Sequence, residues 1–135
     1  YRSLRSLRQN LLISMYFTRE EKAAIVHLAL AIQLADDDAN KTETMLNSLV
    51  FARIGVSKED LDYSRRMSLK EAVDVVSQMT DSEKKFVAAF FGTIVLADGN
   101  VDTAELKLWQ FICTFAECPT MSLADSAKIF AEYFK

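Results

Sequence analysis

The chain has 135 residues, half of them apolar and about a quarter charged, with a net charge of −3. That length holds one domain with a buried core, the composition is that of a soluble globular chain, and the charge offers nucleic acid no bulk attraction. Two cysteines, Cys113 and Cys118, are too few for a disulfide scaffold, and their C-x4-C spacing with no further cysteine argues against zinc.

Three glycines and a single proline favour helices joined by short turns. The first helix is expected near 4–15, opened by Ser6 with Gln9. On it Arg2, Arg5 and Arg8 make a basic stripe beside Leu4, Leu7 and Leu11. Such a stripe packs on a core or touches an acidic partner, and three arginines are too few to hold a membrane surface. Thr18 with Glu21 opens a second helix over 19–35, apolar nearly all round except for His27 and Gln33. Helices near 42–53 and 57–65 follow, separated by Gly55, which suits a C-terminal cap. Ser68 with Glu71 and Thr80 with Glu83 open helices over 69–78 and 81–97, and the second of these is again apolar on most sides. A helix over 103–116 starts at Asp102 with Glu105, and Ser122 opens the last, over 123–134, after Pro119. The two apolar helices should form a central pair. Neither reaches the ~20 residues of a membrane span. The helix over 103–116 carries two apolar stripes, Leu106, Trp109, Ile112 and Ala116 on one, Leu108, Phe111 and Phe115 on the other. It is therefore either deeply buried or offers one stripe to a partner chain.

A shift of 62 residues lays Phe17–Glu43 on Met79–Glu105 without a gap. Thr18, Glu21, Lys22, Ile32, Leu34, Ala35, Asp36, Glu43 and Leu46 meet Thr80, Glu83, Lys84, Ile94, Leu96, Ala97, Asp98, Glu105 and Leu108. The identities sit at caps and at an acidic turn, which reads as an internal duplication with halves near 6–66 and 68–128. The expected fold is a single all-α domain over 1–135, a compact bundle of seven or eight helices in two pseudo-symmetric halves.

The acidic turns are the candidate sites. Asp98, Gly99, Val101, Asp102 and Glu105 match positions five, six, eight, nine and twelve of an EF-hand loop. Positions one and three would be Ile94 and Leu96, whose side chains cannot ligate calcium, so this is half a loop. Three readings stand. Asp98, Asp102 and Glu105, with Asp36, Asp38 and Glu43 as the second set, could weakly bind Ca²⁺, Mg²⁺ or Mn²⁺. Alternatively the acids only shape turns and cap helices, as aspartate does at an N-cap and glycine in a left-handed turn, or they form a protein-docking patch. His27 reads as a packed or rim residue, Cys113 as buried and unreactive, and Cys118 as the more exposed thiol. No phosphate loop or nucleophile elbow occurs, so no enzyme is expected.

The run Ala97, Asp98, Gly99, Val101 and Glu105 after a long apolar helix resembles the TerB-like, tellurite-resistance family. The first half keeps Ala35, Asp36 and Glu43 but has Asp37 and Ala39 at the glycine and hydrophobe positions. The resemblance implies a compact all-helical domain with acidic residues near these turns, tied to stress or tellurite resistance, metal binding or membrane-associated protein assembly. The two cysteines read as reduced thiols of a cytoplasmic protein, and the expected function is a non-enzymatic domain that binds protein partners and weakly binds divalent cations, or alternatively a protein-interaction or homodimer module.

Overall fold

The computed structural model describes residues 16–35, 41–97 and 99–134. The expected first helix and its arginine stripe lie outside the described residues, as do Asp36, Asp37, Asp38, Ala39 and Asp98.

Among the described residues the chain is all-helical. The helices are α1 (Arg19–Gln33), α2 (Lys41–Ile54), α3 (Lys58–Arg66), α4 (Leu69–Ser77), α5 (Asp81–Leu96), α6 (Thr103–Phe115) and α7 (Leu123–Tyr133). None is long and apolar enough to cross a membrane.

Short polar side chains set the starts, by satisfying backbone N–H groups that the first turn leaves without partners. Thr18 accepts from the Glu21 N–H at 3.1 Å, and Glu21 accepts from the Thr18 N–H at 2.8 Å. Thr80 and Glu83 repeat this reciprocal box at 3.2 and 2.9 Å. Ser57 and Asp60 form a third box, with Asp60 standing where glutamate is usual. Ser68 and Ser122 cap α4 and α7 through single hydroxyl bonds to the N–H groups of Glu71 and Asp125, so at Ser68 only half of the expected box forms.

α1 and α5 make the central pair. Ala23, Ala24, Ile25, Leu28, Ala29 and Ile32 of α1 are fully buried, as are Phe86, Val87, Phe90, Phe91, Ile94 and Val95 of α5. α3 and α4 pack on α1, α7 and α6 pack on α5, and α2 touches both central helices. An aromatic cluster ties three elements together. Phe90 stacks on Phe86 at 6.2 Å and on Phe130 of α7 at 5.9 Å, and meets Phe51 of α2 edge-on at 6.4 Å.

Packing relations recur between the halves. α1 takes α2 and α3 as α5 takes α6 and α7, and α1 meets α6 as α5 meets α2. Helix ends recur too. Val56 N–H bonds the Phe51 carbonyl at 2.9 Å across Gly55, whose φ is 77°. Sixty-two residues on, Cys118 N–H bonds the Cys113 carbonyl at 2.9 Å across Glu117, whose φ is 57°. These are Schellman ends, with the left-handed residue at C′. Glycine takes that conformation freely, but glutamate carries a Cβ into it at a cost of about 1 kcal/mol. The Glu117→Gly variant is therefore expected to gain about 1 kcal/mol in chemical denaturation. No gain would mean the turn already relieves the strain.

Candidate functional site

The described acids at the turns act as helix starts. Asp102 is the N-cap of α6, its Oδ1 accepting from the Glu105 N–H at 3.0 Å. Glu105 and Glu43, in the first turns of α6 and α2, are 2% and 1% exposed. Burial of both follows from the i, i+4 rule: Glu43 shares a face with buried Asn47, and Glu105 with buried Trp109. Asn47 donates to Gln33 Oε1 at 2.7 Å, and Gln33 donates to Thr44 Oγ1 at 2.7 Å, so the α1–α2 junction holds a small polar network. Asp36, Asp38 and Asp98, which the cation reading also needs, lie outside the described residues. Among the described residues no group of three or more His, Cys, Asp or Glu side chains is arranged to hold a metal ion.

A buried acid that sequence reasoning passed over lies at the start of α3. Asp60 is 1% exposed and faces Lys22 Nζ at 3.3 Å and Arg19 Nε at 3.6 Å. Burial works against its charge, but the bonds from Ser57 and the Lys22 ammonium outweigh it and hold the carboxyl below the usual carboxylate range. Lys22 also donates to the Gly55 carbonyl at 3.1 Å, so one ammonium joins the end of α2 to the start of α3. His27 is likewise structural. Its Nδ1 lies 2.9 Å from the Ser64 carbonyl, an acceptor only, so Nδ1 carries the proton and donates.

The end of α6 brings both cysteines together. In a Schellman end the side chains at C3 and C″ meet, and here those positions are Cys113 and Cys118. Both are half-buried, a correction to the expectation of a buried Cys113. Two neighbouring thiols do not ionise together: the interaction with Cys118 and burial push the Cys113 thiol up, while the interaction with Cys113 pulls Cys118 down, with the Lys84 charge assisting against burial. A cleft of about 440 Å³ opens over the pair, walled by Trp109, Gln110, Pro119 and Met121. The signal for this site was in the 62-residue alignment, which sets Gly55 on Glu117 and the contacting Phe51 and Val56 on the two cysteines.

The outer stripe of α6 is divided: Leu108 packs against the core, whereas Phe111 and Phe115 face outward. Trp109, Ile112 and Ala116 are buried, and the Trp109 indole N–H donates to the Ala88 carbonyl at 3.0 Å. Phe111 and Phe115 are 43% and 63% exposed and lean on each other, ring centroids 4.6 Å apart. With Leu69, Lys70, Val73 and Asp74 of α4 they line a groove of about 450 Å³.

No family model and no curated protein sequence matches the chain. Its fold is similar to the crystal structure of a protein of unknown function from Porphyromonas gingivalis, with a TM-score of 0.74 and 29% identity over 87% of this chain and 92% of that one.

Proposed function

We propose that the chain is a non-enzymatic, TerB-like binding domain of the cytoplasm that pairs with a second copy of itself through the α4–α6 face. The observation that carries this reading is the exposed Phe111–Phe115 pair beside its groove. Two neighbouring aromatic rings in water forgo the burial that normally stabilises them, and exposed apolar patches mark contact surfaces. The occupant follows from the patch itself. A two-fold dimer needs a self-complementary surface. This one has projecting rings and, next to them, an apolar groove floored by Leu69 and Val73 that can receive a partner's rings. Its rim carries Lys70 and Asp74, an i, i+4 pair of opposite sign at 3.9 Å, which two copies can exchange, whereas a single-signed rim would select an oppositely charged partner.

The acids near the turns serve as caps and buried polar anchors in this reading. The recurrence of caps and packing at a 62-residue offset supports a duplicated ancestry for the two halves.

Sedimentation of the full chain across a concentration series tests the dimer. The parent is expected to shift from monomer to dimer as concentration rises. Truncating an aromatic anchor costs about 2 kcal/mol, roughly 30-fold in dissociation constant, so the Phe111→Ser, Phe115→Ser double variant should stay monomeric with unchanged helicity. A parent that is monomeric throughout, or a double variant that dimerises as well as the parent, refutes the reading.

A further inference from the structure

We propose that Cys118 and Cys113 form a hydroperoxide-reactive dithiol, in which Cys118 is the attacking sulfur, Cys113 the resolving one, and the product an intrachain disulfide at the end of α6.

The placement is structural before it is electrostatic. The Schellman end brings residues 113 and 118 side by side with a 2.9 Å backbone bond between them. At the matching end of α2 the same two positions hold Phe51 and Val56, the apolar pair such an end usually carries. Here each is a thiol, carried on residues whose backbones are bonded to each other and that line one cleft. Both are half-buried and line a cleft large enough for a small peroxide.

Lys84 marks Cys118 as the nucleophile. It occupies the position of Lys22 in the 62-residue alignment, and Lys22 pairs with Asp60. The residue aligned with Asp60 is Ser122, which carries no charge. Lys84 is 8% exposed, and its ammonium acts on the Cys118 sulfur. A nearly buried cation acting on a thiol favours the thiolate there, and once Cys118 is charged its neighbour Cys113 keeps its own proton.

The chemistry balances in two steps. The Cys118 thiolate attacks one peroxide oxygen. The S–O bond forms, the O–O bond breaks, and the departing alkoxide or hydroxide takes a proton from water to leave as alcohol or water. Sulfur loses two electrons and the peroxide gains them, leaving a sulfenic acid. Cys113, releasing its proton to solvent, then attacks the Cys118 sulfur. The S–S bond forms, and the S–O bond breaks with loss of hydroxide, which becomes water on protonation. The sum is two thiols and one hydroperoxide to one disulfide, water and an alcohol, or two waters from hydrogen peroxide.

The test treats the full reduced chain with one equivalent of hydrogen peroxide, then counts free thiols and maps peptides by mass. The parent is expected to lose both thiols together and yield a linked Cys113–Cys118 peptide from monomeric chain. Cys113→Ser should stop at a sulfenic acid on Cys118 that a dimedone probe captures. Cys118→Ser should leave Cys113 reduced. Lys84→Met, with its melting curve as a control for folding, should slow the parent reaction, because the thiolate share of Cys118 falls when the cation is removed. The proposal is overturned if both thiols survive peroxide, if Cys118→Ser reacts as fast as the parent, or if the only disulfides link two chains. An unchanged rate in a folded Lys84→Met variant would remove the lysine from it.

Discussion

Replacing Phe90 by alanine is expected to lower the stability of the monomer by about 3–5 kcal/mol, the cost of emptying an aromatic site that cannot collapse. Phe90 is fully buried in mid-α5 and contacts rings from α2 and α7 as well as its own helix. Deleting the ring removes its transfer free energy and leaves a cavity whose walls belong to three helices, each anchored elsewhere. For a chain of this length the loss corresponds to a melting point lower by roughly 10–20 °C. Phe111→Ala is the internal control. It has the same chemistry on a partly exposed helix face, and should cost about 1 kcal/mol, well below the loss at Phe90, at dilutions where the chain is monomeric. Equal losses at the two positions would mean that the α6 stripe is covered in the free chain.

The second large effect is expected at Gly92, and its sign is the informative part. Glycine inside a helix is about 1 kcal/mol worse than alanine, so propensity alone makes Gly92→Ala stabilising. Packing says the opposite. A Cβ at Gly92 would meet Ser126 Oγ, stand 2.6 Å from Ser126 Cβ and lie 3.0 Å from Trp109 Cζ2. Ser126 is fully buried and its hydroxyl is tied to the Leu123 carbonyl, while Trp109 is held by Ala88, so neither neighbour yields cheaply. Overpacking of this kind costs about 1–3 kcal/mol, and the methyl group would wedge α7 away from α5. Gly92→Ala is therefore expected to destabilise by about 2 kcal/mol. A double-mutant cycle identifies the cause. Adding Ser126→Gly should recover part of the loss because it removes the opposing Cβ. Adding Ser126→Ala should recover less, because it removes the Oγ contact but leaves the Cβ. A stabilised Gly92→Ala variant would show that α7 sits farther from α5 than described.

Much of the fold was legible because local rules and tertiary packing agree. Thr18, Ser68, Thr80, Asp102 and Ser122 announce helix starts by chemistry that acts within four residues. The all-round apolarity of α1 and α5 has one physical outlet, which is the centre of the bundle. What stayed open needed information from distant residues. Both stripes of α6 are apolar, and the choice of Trp109, Ile112 and Ala116 as the inner one depends on where α5 leaves room, partly through the missing side chain of Gly92. The candidate acids were visible as a pattern, but the burial of Glu43 and Glu105 depends on which face of α2 and α6 packs inward, the face they share with Asn47 and Trp109, and not on residue type. Nothing near Asp60 in the sequence shows that the fold brings Lys22 and Arg19 to it. The meeting of the two cysteines rests on a left-handed glutamate, a conformation that no side-chain preference announces.

The claim that Phe111 and Phe115 are one half of a self-complementary interface is tested most directly by intermolecular NOE spectroscopy. Equal parts of isotope-labelled and unlabelled full-length chain are mixed at high concentration, so that only contacts between copies are observed. Cross-peaks from the Phe111 and Phe115 rings of one copy to the Leu69 and Val73 methyl groups of another are expected, and they should fade on dilution. No intermolecular cross-peaks at any concentration, or cross-peaks confined to other exposed apolar residues such as Met45 and Leu49, would contradict it.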